Sequence, residues 1–478
     1  MSEQPKAVVA LRNDDAQWYT GDVVIGAKAL RVVFATSASD LWVASEKYSV
    51  AASLTGHETG GSFGAHWHGL AVTGAIVTDV PKVAGAPLAR AATPAAFGVV
   101  PRRDASLSNL PADGVFGLGL PEGSAVKSNS GARAPLELVG NAFPPSALFS
   151  FYLTADAGAH GSFLTLGGFD AARAVKAAGK REAANFENEK LRWLRVQAGS
   201  TKWKVGLRRF GPHAHNELSL DYCQSSRVGC SAIFDTATPD IEVPRRFYKS
   251  FVRTLVYETG LKCFYDNNRL VCDECTADQF SALEFEFSAG ERYLVQPSDY
   301  LVDDGHFRCR VLISERHHER DDVFVLGAPF LKTHYTVYDA RSADDCRVGL
   351  GCLSNRYSDT GGGTCFGGVG SFDGATGTRY CFTNSAGKYG SICFSTAWPY
   401  YFFVAAGSFF FALGVGTLAH LVYRAVRSGL REYQMRKTQR VQCAPMPETI
   451  DGPAPEEDDE EDMLGIPLLP RRPRQDQV

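Results

Sequence analysis

Up to about residue 352 the chain reads as short apolar runs, rich in Val, Thr, Tyr and Phe, set between turn-forming residues. That rhythm predicts a mostly β protein built from many short strands. Two stretches depart from it. Ala171 to Glu182 is Ala-rich and has good intrinsic helix propensity. Pro244 to Tyr257 opens on proline and then repeats apolar residues at helical spacing, which predicts a helix beginning there. A third pattern differs in kind. Tyr389 to Tyr423 is 35 residues long without Asp, Glu, Lys or Arg. Its core, Trp398 to Tyr423, has 26 residues and is long enough to span a bilayer with some tilt. Trp398, Tyr400 and Tyr401 at one end and Tyr423 at the other fit interfacial anchors.

Charge orients that segment. Arg424, Arg427, Arg431, Arg436, Lys437 and Arg440 follow it, whereas only Lys388 lies near the other flank. Positive charge marks the cytoplasmic side, so the expectation is a single-pass type I membrane protein. The β-rich part is then extracellular or lumenal, at the plasma or ciliary membrane, and the tail is cytoplasmic. Ser408, Ala412 and Gly416 recur every fourth residue and would form a small-residue stripe for helix–helix contact. Phe403, Phe410 and Phe411 fall on the opposite face. The tail carries the acidic run Glu456 to Asp462, then Leu468-Leu469, an arrangement like a sorting or adaptor peptide on a disordered segment.

The cysteines agree with an outward-facing β region. Of 12, 11 precede the apolar segment and only Cys443 follows it, which points to an oxidising compartment. Cys346, Cys352, Cys365, Cys381 and Cys393 are an odd number of candidates near the segment, so one is unpaired or bonds a partner. Residues 353 to 397, rich in Gly, Ser and Thr, read as a cross-linked stalk. Residues 1 to 20 have no leader-like apolar core, so a leader or prosegment would belong to a precursor. The net charge of -4 gives no nucleic-acid signal. His57, His66 and His68 lie close in sequence, but their spacing fits no usual zinc pattern and no cysteine is near. No metal or cofactor is expected.

Two short segments carry the chemistry. The run Leu30-Arg31-Val32-Val33-Phe34 leads into Ala35-Thr36-Ser37-Ala38, and Leu41-Trp42-Val43 follows shortly. About 200 residues later comes Ala232-Ile233-Phe234-Asp235-Thr236-Ala237-Thr238-Pro239. Both segments resemble the active-site segments of pepsin-like aspartic proteases, in which a strand ends in Asp-Thr-Gly-Ser or Asp-Thr-Gly-Thr. Further matches follow in family order: Trp18 to Gly26, Asp113 to Gly119, Phe149 to Leu153, Leu164 to Asp170, Pro297 to Tyr300, Val325 to Leu331 and Tyr335 to Asp339. The resemblance covers about residues 8 to 352.

The resemblance implies a bilobal pepsin-like fold, with residues 1–190 and 191–352 as the two lobes. The stalk 353–397, the membrane helix 398–423 and the tail 424–478 would complete the chain. Thr36 and Thr236 match two threonines that interlock beneath the catalytic pair. Cys223 and Cys230 resemble the family's small-loop disulfide. Cys263, Cys272, Cys275 and Cys309 would form two more bridges, one of them closing the large loop. His68 aligns with the flap tyrosine, so Trp42 would lack its usual flap partner.

The resemblance also exposes a loss. Aspartic proteases use two carboxylates that share one proton. Here Ala35 stands at the first aspartate, Ser37 at the following glycine and Ala38 at the serine, while Asp235 is kept and Ala237 replaces the second glycine. A methyl group cannot hold the attacking water, and Asp235 alone should ionise normally. Removing one member of a protease's catalytic unit costs roughly 10⁴ to 10⁶ in rate, so the expected activity is none. The expected role is a non-catalytic binding or scaffolding ectodomain within a membrane or surface complex. A channel or an extracellular fibre is among the protein partners this would suit. The alternative is a membrane-bound aspartic endopeptidase with an atypical active site.

Overall fold

The computed structural model describes residues 7–353 apart from 15–17, 68–69, 102–109, 145–146, 156–157, 175–185, 188–190, 213–220, 227–228, 267–268, 288–291, 306, 317–321 and 343–344; beyond these it describes 380–382, 392–394 and 423–432. His68, Cys365, Ser408, Ala412, Gly416, the apolar segment up to residue 422 and most of the tail lie outside the described residues. Among the described residues no helix is long and apolar enough to cross a membrane. The chain divides into two units. One holds the described residues 7–353. The other holds a strand pair, Tyr380–Phe382 with Ile392–Phe394, in which Cys381 and Cys393 are register partners, and the helical residues 423–432.

The larger unit is mostly β, as the alternating apolar runs predict. Its sixteen-stranded sheet runs through Leu191–Arg195, Arg347–Cys352, His334–Asp339, Leu148–Tyr152, Gly158–Leu166, Ala7–Asp14, Trp18–Ile25 and Lys28–Ala35. It continues through Gly114–Gly117, Leu41–Ala44, Ala95–Val100 and Leu70–Asp79 to His57–Trp67. Strands from both sides of residue 190 share this sheet, since Leu148 pairs with Asp339 and Arg192 with Leu350. A seven-stranded sheet and a four-stranded sheet come from residues after 200.

The two sheets contain the same motif twice. Lys28–Ala35 runs parallel to Gly114–Gly117, which is antiparallel to Leu41–Ala44, which is parallel to Ala95–Val100. Cys230–Phe234, Val323–Leu326, Ile241–Pro244 and Ile313–Arg316 repeat that order and those directions. The strand that returns through the middle must pass close to the turn after the first strand. A Cβ on Gly117 would lie 2.5 Å from Ala38 O, and one on Gly327 would lie 2.1 Å from Thr238 O. Only glycine fits at either place.

The predicted helix forms as Arg245–Thr259, between Pro244 and a left-handed Gly260. Phe247, Tyr248, Phe251, Val252 and Leu255 are buried at helical spacing on one face. The Ala-rich prediction fails where it can be seen. Ala171–Arg173 is a single 3₁₀ turn capped by the Asp170 carboxylate, and Ala174 then bridges to Leu353. The sheet partner overrides local propensity. The cysteines pair as Cys223–Cys230, Cys263–Cys272 and Cys275–Cys309, and Cys352 is disulfide-bonded as well. The Cys346 thiol lies 3.5 Å from Ser342 O.

Two threonines join the repeated motifs. Thr36 N–H donates to Thr236 Oγ1 at 3.1 Å, and Thr236 N–H donates to Thr36 Oγ1 at 3.1 Å. Thr36 Oγ1 donates to Phe234 O at 2.7 Å, and Thr236 Oγ1 donates to Phe34 O at 2.6 Å. Each hydroxyl thus accepts once and donates once across the divide, and both residues are at most 1% exposed. Beneath them Phe149 stacks on Tyr338 at 4.8 Å and Trp203 packs edge-on against both. Trp203 also donates its indole N–H to Leu118 O at 2.8 Å.

Thr36→Val should be destabilising, because it leaves Thr236 N–H and Phe234 O buried without their partner, at about 1–3 kcal/mol for each such group. Thr36→Ser keeps the hydroxyl and should cost much less. Urea unfolding of the two variants measures the difference; equal stabilities would mean that the interlock contributes little.

Asp339 supplies a pH-dependent contribution. Burial alone would raise its carboxyl, but hydrogen bonds and charge from Arg341 and Arg347 outweigh burial and hold it below its ordinary value of 3.8. A lowered native pKa gives stability that is present above the unfolded value and lost as pH falls through the native one. Asp339→Asn should therefore be less stable than the parent at neutral pH, and the gap should close in strong acid. A gap independent of pH would contradict this.

Candidate functional site

The cleft is built where the two motifs meet. It measures about 590 Å³ and is lined by Ser37, Ala38 and Asp40 from the first turn and by Asp235 and Thr238 from the second. Trp42, Gly64, Ala65, His66 and Trp67 close one side, and Lys202, Glu242, Glu315 and Arg316 line another part.

The turns are equivalent in backbone but not in chemistry. Asp235 ends its strand at 3% exposure. One carboxylate oxygen accepts from Ala237 N–H at 2.9 Å and the other from the Thr238 hydroxyl at 2.6 Å. Asp235 N–H donates to Leu326 O. At the matching place Ala35 is fully buried, and Leu118 N–H donates to its carbonyl at 2.8 Å. The Ala35 methyl belongs to an apolar cluster with Trp42, Trp67, Ile76 and Ala237. Ala38 matches Thr238 and offers no hydroxyl. The first turn therefore presents a methyl at 35 and no hydroxyl at 38, where the second presents Asp235 and Thr238. Of the two matching positions, 35 and 235, only 235 carries a carboxylate.

The flap is the hairpin of His57–Trp67 with Leu70–Asp79. Alternation along its first strand buries Phe63 and Trp67 and exposes Gly64 and His66. Trp67 sits edge-on to Trp42, with ring centroids 6.1 Å apart and an 80° interplanar angle. Trp42 thus has an aromatic flap partner in Trp67, while His68, which the alignment sets at the flap tyrosine, lies outside the described residues. The period-two pattern from Phe63 through Ala65 to Trp67 carried that signal. His57 and His66 pair with Thr78 and Ala71, so they sit toward opposite ends of the hairpin, both exposed.

Sequence reasoning also missed the charged wall of the cleft. Glu242 lies between buried Ile241 and Val243 and therefore faces away from the core. Arg316 Nη1 is 3.9 Å from Glu242 Oε2. Burial pushes the Glu242 carboxyl up to about 7; Arg316 and Lys202 oppose the rise, while Asp235 and Asp240 add to it. The apolar–acidic–apolar pattern at 241–243 was legible, but the arginine that faces it comes from a strand some 70 residues later in the chain.

Asp40 is structural. It accepts from the Ser124 hydroxyl at 2.5 Å and from the N–H groups of Ala125 and Val126, and so caps the helix Ala125–Ser130. That bond ties the first turn to the segment that follows the returning strand.

The sequence model of eukaryotic aspartyl proteases matches residues 18–352. Gastricsin from Mus musculus is 25% identical over 362 residues, covering 70% of this chain and 81% of gastricsin. Pregnancy-associated glycoprotein 1 from Bos taurus is 27% identical, covering 71% of this chain and 83% of its own length. An aspartic protease from Phaffia rhodozyma is 31% identical over 359 residues, covering 72% and 78%. This chain belongs to the eukaryotic aspartyl protease family.

Proposed function

We propose that the pepsin-like domain binds peptide segments in its cleft without hydrolysing them, and that the apolar segment 398–423 holds it at a membrane as a binding or scaffolding subunit. The single observation that carries the first part is Ala35, a buried methyl at the place that mirrors Asp235. Hydrolysis in this family needs a second carboxylate to share the proton. The interlock, the flap aromatics and the disulfides do not depend on that carboxylate, and all of them are kept. A fold that retains its cleft while lacking its acid–base pair remains suited to binding.

The membrane part rests on the 26-residue apolar segment and on the six basic residues that follow it. The domain would then face outward, in keeping with three disulfides among its described residues. Partners would be proteins of the same membrane or of the material outside it, with contacts through the cleft, the stalk or the stripe of Ser408, Ala412 and Gly416. The lobe boundary near residue 190 belongs to the same reading.

The catalytic half is tested by incubating the purified full chain with an unfolded protein and sequencing new termini by mass spectrometry. No cleavage is expected from strong acid to neutral pH. Cleavage that disappears in Asp235→Ala would contradict the proposal.

A gain-of-function series probes the cause. Ala35→Asp alone should stay far below an active relative such as gastricsin, because Ala38 cannot donate to the new carboxylate. Adding Ala38→Ser should raise turnover, since one well-placed donor to a catalytic charge is worth roughly a hundredfold. Full turnover from Ala35→Asp alone would show that position 38 is immaterial.

A further inference from the structure

Residues 423–432 are helical and all of them are exposed, so no described element covers them. They overlap the end of the apolar segment at Tyr423. Their sequence has two faces. At 3.6 residues per turn, Val426, Leu430 and Tyr423 fall within one arc of about 60°. Arg427, Arg431 and Arg424 fill the adjoining arc, of about the same width. Ser428 and Glu432 fall outside both. The three apolar side chains are each at least 54% exposed, which is costly in water for side chains of their size.

We propose that this helix lies along the cytoplasmic surface of the membrane and binds anionic lipid there. The inference rests on the reading of 398–423 as a membrane anchor and names the lipid class that the anchored chain prefers. A planar interface can take both arcs at once. Val426, Leu430 and Tyr423 enter the acyl boundary, while the neighbouring guanidinium groups reach the headgroups. Residues 424–440 carry Arg424, Arg427, Arg431, Arg436, Lys437 and Arg440 against one acid, Glu432. A basic cluster of that size directly after a span suits anionic headgroups. Arginine, which makes up most of it, can bind a phosphate through two parallel N–H donors. In a zwitterionic lipid the headgroup's own ammonium already balances that phosphate, so the preference is for net negative charge.

The chain holds a competing occupant in its own tail. Glu456 to Asp462 is an unbroken acidic run that begins 16 positions after Arg440. It could neutralise the arginines, but it contains no apolar residue to cover Val426, Leu430 and Tyr423. The membrane supplies negative charge and an apolar boundary together, at the place where the apolar segment ends. Each basic residue near an anionic surface strengthens binding roughly fivefold. Salt screens that attraction, so the association should weaken as ionic strength rises.

The test uses the full chain reconstituted into lipid nanodiscs, made of phosphatidylcholine alone or with roughly a third phosphatidylserine. Amide hydrogen exchange across residues 424–440 should be about tenfold slower in the discs that contain phosphatidylserine. Salt at roughly half-molar strength should abolish the difference. Arg427→Gln with Arg431→Gln should remove most of it, and Arg427→Lys with Arg431→Lys should keep it. Val426→Gln with Leu430→Gln should lose it with the charge unchanged. Equal exchange in the two kinds of disc would overturn the inference while leaving the anchor standing. Slow exchange in both, released by neutralising Glu456 to Asp462, would assign the face to the acidic run and overturn the inference as well. A chain that enters neither kind of disc would overturn the membrane reading and this inference with it.

Discussion

Everything at the site depends on four buried hydrogen bonds by which Thr36 and Thr236 join the two motifs, two between the threonines and one from each hydroxyl to the carbonyl of Phe234 or Phe34. Each threonine spends its N–H and its hydroxyl on the other motif, so neither turn can shift without stranding a buried polar group. The bonds fix the position of residues 35 and 235 whatever side chains those residues carry. That separates the scaffold from the chemistry. The backbone at position 35 is held in place with a methyl side chain there.

The internal repeat lets the first turn be set against the second without an outside reference. The second turn shows what a carboxylate at this place requires: a backbone N–H two residues on and a hydroxyl three residues on, both satisfied at Asp235. The first turn keeps the strand, the threonine and the glycine that lets the returning strand pass, but has Ala at both 35 and 38. The methyl joins the apolar cluster that includes Trp42 and Trp67. The charged lining of the cleft comprises Asp40, Asp235, Glu242, Glu315, Arg316 and Lys202.

Much of this was visible in the residues. The mostly β rhythm and the helix after Pro244 are local patterns set by short-range sterics, and the two turn segments and the Cys223–Cys230 bridge followed from the family resemblance. The features that were missed are long-range. Trp67 could be paired with Trp42 only once the hairpin register put Phe63, Ala65 and Trp67 on one face. Glu242 could be paired with Arg316 only once two distant strands lay parallel. The 3₁₀ turn at Ala171–Arg173 defeated a propensity argument because Ala174 has a β partner in Leu353. Residue 190 separates two halves of the sequence, yet one sheet runs across both.

The central claim is that the cleft binds peptide without stabilising a tetrahedral intermediate. A peptide that carries a statine-type hydroxyl mimics that intermediate, and the same peptide without the hydroxyl does not. A working aspartic protease prefers the first, because transition-state analogues bind roughly 10² or more tightly than substrates. Calorimetric titration of the full chain with both peptides should give equal affinities. A hydroxyl that improves binding by about a hundredfold or more would contradict the account, because it would mean that Asp235 still works within a functional catalytic pair.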